Sequence, residues 1–107
     1  MSNYCYIVIQ LILTKAVEVT PVYLKKNILE SVKQLFGEVG ASVNIDLLKF
    51  NSQTLEGILR VPSCHFIKLR ASLVLSGYYE GIQCTYLIKK TSSLLLALQG
   101  DSRDYKH

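Results

Sequence analysis

The chain has 107 residues, half of them hydrophobic and 19% charged, with twelve Lys and Arg against eight Asp and Glu for a net charge of +4. That hydrophobic content excludes disorder for the bulk of the chain, and that length allows one hydrophobic core and not two, so residues 1–107 are expected to form a single domain. A pI near 9.0 permits a nucleic-acid partner without requiring one, and basic residues adjacent only at Lys25-Lys26 and Lys89-Lys90 exclude a concentrated basic run.

Residues 4–13 read as a strand, rich in β-branched and aromatic side chains and free of Gly and Pro. Cys5, Ile7, Ile9, Leu11 and Leu13 fall on one face; Tyr4, Tyr6, Val8 and Ile12 fall on the other. A strand apolar on both faces belongs in the middle of a sheet or has its second face covered. At ten residues it is too short to cross a membrane. It also lacks the basic prefix and cleavage site of a secretory signal. The three cysteines, Cys5, Cys64 and Cys84, are odd in number and widely spaced, which argues against a disulfide framework. An intracellular protein without a membrane partner is expected.

Thr20-Pro21 marks a helix start, with Thr20 as N-cap and Pro21 at the first helical position. Leu24, Ile28, Val32 and Leu35 recur at helical spacing, widened by Leu29 and Phe36, and Gly37 is placed to end the helix. Residues 42–50 and 54–61 read as strands joined by Asn51-Ser52-Gln53 in a hairpin. Pro62 stops the second of these, and Ser63 is placed to cap a second helix reaching about residue 76, ended by Gly77. Tyr78-Tyr79-Glu80-Gly81 reads as a turn or short extension, and residues 83–89 as a strand. Ser92 or Ser93 then caps a short helix over 94–99, closed by Gly100 and followed by a polar tail.

The order β-α-β-β-α-β predicts an α+β domain of ferredoxin-like type: one antiparallel sheet, both main helices on one face, and a short C-terminal helix appended. No catalytic constellation stands out. His65 follows Cys64 directly, and neighbours on a helix do not face each other. Asp46, Glu56 and Glu80 lie on separate elements, and the glycines of Gly37-Glu38-Val39-Gly40 follow a helix, whereas a phosphate cradle precedes one. The absence of CxxC and of a second internal histidine speaks against zinc. Neither a metal nor a cofactor is expected, and the chain by itself is not expected to be an enzyme.

The same topology invites a stand-alone single-stranded RNA-binding module of RNA-recognition-motif type, which needs stacking aromatics on the first and third strands. Tyr4 and Tyr6 serve the first. The third offers Glu56, which repels phosphate, and Arg60, which either contacts a phosphate or is a solvated charge on the sheet face. The more informative feature is surplus hydrophobicity. Leu94-Leu95-Leu96-Ala97-Leu98 is apolar all round a short helix, and Ile67, Ala71 and Val74 broaden the second helix beyond Phe66, Leu69 and Leu73. Such surface either plugs the open sheet face over Tyr4, Tyr6 and Val8 or meets a partner. The protein-interface candidates are therefore Ile67, Val74, Leu94, Leu95, Leu96 and Leu98.

Five blocks in register carry a resemblance: Gln34-Leu35-Phe36-Gly37-Glu38-Val39, Thr54-Leu55-Glu56-Gly57-Ile58-Leu59-Arg60-Val61, Lys68-Leu69-Arg70-Ala71-Ser72-Leu73, Gly77-Tyr78-Tyr79-Glu80-Gly81 and Leu95-Leu96-Ala97-Leu98-Gln99-Gly100-Asp101-Ser102-Arg103. In these the chain closely resembles the fourteen-kilodalton protein subunits of eukaryotic ribonuclease P and ribonuclease MRP. The resemblance implies a non-catalytic subunit of a nuclear and nucleolar ribonucleoprotein whose RNA removes the 5′ leader from precursor tRNA. It further implies pairing with a paralogous ferredoxin-like subunit, flanking barrel-type subunits of about thirty kilodaltons, and ribonuclease P RNA met directly or through those proteins. Arg60, Lys68, Arg70, Lys89, Lys90 and Arg103 are the candidate RNA contacts.

Overall fold

Ile7, Ile9 and Leu11 alternate along β1 (Tyr4–Leu13) and are all buried, which places one face of this strand in the core as its pattern predicts. The computed structural model describes residues 3–40 and 44–93, the side chains of 38–40 excepted. After β1 come α1 (Pro21–Gly40), β2 (Asp46–Asn51), β3 (Glu56–Pro62), a 3-10 turn (Ser63–His65), α2 (Phe66–Leu75), β4 (Tyr78–Tyr79) and β5 (Ile82–Ser92). The sheet order is β2-β3-β1-β5-β4, and every pairing is antiparallel. β1 thus sits between β3 and β5 under two helices that share one face. This is the expected ferredoxin-like α+β architecture, with a small hairpin added at one edge. The predicted helix over 94–99 lies outside the described residues.

Local chemistry explains most boundaries. Thr20 caps α1 as expected: the Tyr23 amide donates to Thr20 Oγ1 at 3.3 Å and the Leu24 amide to the Thr20 carbonyl at 2.9 Å. Gly37 breaks the helix at φ 80° and ψ −179°, yet a further helical turn continues to Gly40. Leu35 and Phe36, expected in the core, stand exposed where the stripe runs out at this break. Asn51 organises the β2–β3 turn, its Oδ1 accepting from the amides of Gln53 (2.8 Å) and Thr54 (3.1 Å). The turn extends to Leu55 at φ 61°, so β3 begins two residues later than predicted. Ser63 does not cap α2. Its amide donates to the Asn3 carbonyl at 2.9 Å and the helix is entered through the 3-10 turn.

Tyr78-Tyr79 is a true two-residue strand. Tyr78 pairs with Gln83 and Tyr79 with Ile82 around Glu80-Gly81, both at positive φ (48° and 80°), which is the mirror-image turn that suits the twist of a hairpin. Gly57 is needed for a different reason: a Cβ there would sit 3.0 Å from the Lys49 carbonyl oxygen and 3.1 Å from Leu47 Cδ1.

The core joins Ile7, Ile9 and Leu11 to Leu59 and Val61 of β3, Cys84 and Tyr86 of β5, Leu24, Ile28 and Val32 of α1, and Leu69 and Leu73 of α2. Each fully buried Leu or Ile stabilises the fold by about 1.5–3 kcal/mol relative to exposure. One polar contact is built into this interior: Asn27 Nδ2 donates to Tyr86 Oη at 2.8 Å, both residues buried. Burial pushes the Tyr86 phenol far above its ordinary value, and the hydrogen bond with Asn27 offsets this only in part. Burial also raises Tyr79 and Cys84.

A phenol held protonated in the folded state but ionising near pH 10 once unfolded contributes stability fully below about pH 10 and loses it as pH rises further. Stability measured by urea unfolding is therefore expected to decline above about pH 10. The Tyr86→Phe variant, about 1–3 kcal/mol less stable at neutral pH because Asn27 loses its partner, should show a shallower decline. An equal slope in both proteins contradicts this assignment.

Candidate interaction site

The face of the sheet turned away from the helices carries the sequence-predicted aromatic and basic residues of the strands. Register sets their neighbours: Tyr6 lies opposite Arg60 on β3 and Ser92 on β5, and Val8 opposite Ile58 and Lys90. Between Val8 and Ile9 the β1–β5 register slips by one residue, leaving Lys89 as the extra residue. Such a bulge lets two successive side chains share one side, and Lys89 and Lys90 both emerge on the open face.

Their charges are largely committed. Arg60 donates from Nε (3.1 Å) and Nη2 (2.8 Å) to Asp46 Oδ2 on the neighbouring β2, and its guanidinium lies 5.2 Å from the centroid of the Tyr4 ring. The hydrogen bonds with Asp46 raise its pKa further. Lys89 reaches over β1 to pair with Glu56 Oε2 on β3. Tyr4 is thus already stacked under a cation that is itself neutralised, and β3 presents Glu56, Ile58 and Arg60 where a base-stacking sheet needs an aromatic.

The remaining cationic candidates lie on the other side of the molecule. Lys68 Nζ sits 5.7 Å over the Phe36 ring centroid, and Arg70 is exposed on α2. The structure therefore splits the RNA candidates between the open sheet face and the helical layer and does not gather them into one patch. Arg103 lies outside the described residues, as do Leu94, Leu95, Leu96 and Leu98.

Ile67 and Val74, by contrast, are brought together. Seven residues apart on α2, they share a face two turns long and are 69% and 65% exposed. Leu75, at the end of α2, and Tyr78, on β4, are exposed as well. Sequence reasoning missed those two, although a segment reading Phe66-Ile67-Lys68-Leu69-Arg70-Ala71-Ser72-Leu73-Val74-Leu75 holds more apolar residues than one buried helix face can use.

Catalytic geometry is not found among the described residues. Among the described residues, no three of His, Cys, Asp and Glu gather as a metal site requires. The cleft of about 390 Å³ between α1 and α2 is lined by Asn27, Ser31, Ser72, Ser76 and Gly77. Its hydroxyls serve each other and the backbone: Ser31 Oγ lies 3.0 Å from both the Asn27 carbonyl and Ser76 Oγ, and Ser72 Oγ donates to the Lys68 carbonyl at 2.8 Å. A hydroxyl nucleophile needs an adjacent base; Glu30 and Glu80 also line the cleft, but the hydrogen bonds of Ser31 and Ser72 go to Ser76 and to backbone carbonyls and not to either carboxylate.

Comparison with known proteins places the chain. It is 42% identical over 80 residues to ribonuclease P protein subunit p14 of Homo sapiens, an alignment covering 75% of this chain and 64% of that protein. The corresponding Mus musculus protein is 40% identical over 80 residues, 75% of this chain and 66% of the relative. The chain thus spans just under two thirds of the length of these curated relatives. Among solved structures, a chain of yeast ribonuclease MRP shares the fold with a TM-score of 0.77 at 15% identity, covering 99% of this chain and 93% of that one. The model of the Rpp14/Pop5 family matches residues 5–100, from the first core strand through the open-face bulge, and the chain belongs to that family.

Proposed function

We propose that the protein is a non-catalytic subunit of ribonuclease P, and of ribonuclease MRP, that scaffolds the catalytic RNA and the other proteins for removal of the 5′ leader from precursor tRNA. The observation that carries this reading is the family match over residues 5–100, which spans both helices and all five strands. A surface with an exposed apolar strip on α2 and paired charges on the sheet is consistent with a protein that works by holding others. On this reading Ile67, Val74, Leu75 and Tyr78 face a protein neighbour, for which a paralogous ferredoxin-like subunit or a barrel-type subunit of about thirty kilodaltons is proposed. A nuclear and nucleolar location follows from the same reading.

Because Asp46 and Glu56 neutralise Arg60 and Lys89, the open sheet is not favoured as a stand-alone single-stranded RNA platform. The isolated protein is expected to bind RNA weakly even at low salt, where phosphate contacts are strongest. Affinity purification of the tagged protein from cells, with sequencing of the bound RNA, tests the main reading. Enrichment of ribonuclease P RNA is expected, with ribonuclease MRP RNA beside it; recovery of neither overturns the proposal.

A further inference from the structure

The outer surface of α1, away from both the core and α2, combines two features that the subunit reading does not use. Val22 is 75% exposed, more than any other large hydrophobic side chain among the described residues, and Leu29, half-buried with its inner side against the core, lies two turns further along the helix. Together with Lys25, Lys26, Lys33 and Glu30 they line a shallow depression of about 410 Å³. A second depression, of about 390 Å³, shares Val22 and Lys25 and continues over Pro21 to Leu47 and Leu48 on β2. Its far end is closed by Asp46 and Arg60, which are already joined to each other. The two adjoin at Val22 and Lys25, so that Leu29, Val22 and Leu48 give an aliphatic track beside three lysines and one glutamate of α1.

We propose that this surface docks an acidic amphipathic segment of a partner protein, whose aliphatic side chains cover Val22, Leu29 and Leu48 and whose carboxylates meet Lys25 and Lys26. Charge complementarity selects the occupant. A second copy of this chain brings a net charge of +4 to an already basic rim. Single-stranded RNA binds by stacking its bases on aromatic side chains, and the floor here is aliphatic; phosphates on the lysines leave Val22 in water. A segment alternating aliphatic and acidic residues satisfies both features, the buried apolar area supplying affinity and the lysines orientation and rate of encounter. This surface is separate from the α2 strip, so the two engage different neighbours.

A photo-crosslinking amino acid in place of Val22, in the full chain expressed in cells, reads out the neighbour directly. The expected product is a nuclease-resistant adduct whose crosslinked peptide is acidic and amphipathic. Its yield is expected to fall at least about tenfold in Lys25→Glu/Lys26→Glu and to recover when the acidic residues of that peptide are changed to lysine. A nuclease-sensitive adduct, an adduct to a second copy or to a peptide without acidic residues, or no adduct from a chain shown by circular dichroism to be folded, each overturns the inference. RNA recovery from the same cells is scored separately, so loss of the Val22 adduct is distinguishable from failure of the subunit reading.

Discussion

Changing Ile67 and Val74 together to glutamate is expected to release the protein from its complex while leaving it folded. Both side chains stand on the outer face of α2, 69% and 65% exposed, so neither supports the core. Exposed substitutions of this kind usually change stability by less than about 0.5 kcal/mol, and glutamate is at least as good a helix former as isoleucine or valine. In an assembled interface the same positions lose water, and a carboxylate left there without a partner costs several kcal/mol. Two of them suffice to lower association by more than about a hundredfold. Thermal unfolding of the purified variant should match the parent, while co-purification of the other subunits and of the RNA should be lost. A double variant that still co-purifies in full removes α2 from the interface.

The largest loss of stability is expected at Leu59. This residue lies at the middle of β3, opposite Ile7 of β1 and Leu47 of β2, and is fully buried beneath the helices. Leu59→Ala deletes methyl groups that three elements surround, and the paired backbones on both sides limit collapse into the space left. A loss of about 2–5 kcal/mol is expected, a large part of the roughly 5–15 kcal/mol typical of a whole domain. Urea unfolding should show a lower midpoint at an unchanged slope. Leu87→Ala serves as the contrast: Leu87 lies opposite Gln10 on the open face and is 41% exposed, so its truncation should cost less than about 1 kcal/mol. Equal losses at the two positions contradict the assignment of the sheet's two faces.

The charged candidates show where one-dimensional reading loses information. Arg60 looked like a solvated charge or a phosphate ligand because its partner, Asp46, is fourteen positions away and meets it only across the β2–β3 pairing. Lys89 and Glu56 are thirty-three positions apart and meet only because β1 is inserted between their strands. The bulge that turns Lys89 and Lys90 to one side leaves no mark in the residue pattern. The Asn27–Tyr86 contact is of the same kind: an asparagine in a helix and a tyrosine in a strand each look ordinary until α1 is laid over β5.

What this amino-acid order determined alone is everything that acts within a few residues. That includes the alternation that buries Ile7, Ile9 and Leu11, the Thr20-Pro21 entry to α1, the break at Gly37, the stop at Pro62 and the Glu80-Gly81 turn, and from their succession the ferredoxin-like order. Resemblance along nearly the whole chain added the family. Tertiary structure alone decided which charges cancel, which apolar residues of α2 remain in water, and that Val22 and Lys25 of α1 line a depression with Leu47 and Leu48 of β2. The physical reason is range. Backbone periodicity, capping and turn conformation are local energies, whereas ion pairing and exposure depend on strand register and on how helices cover a sheet, which no short window of sequence contains.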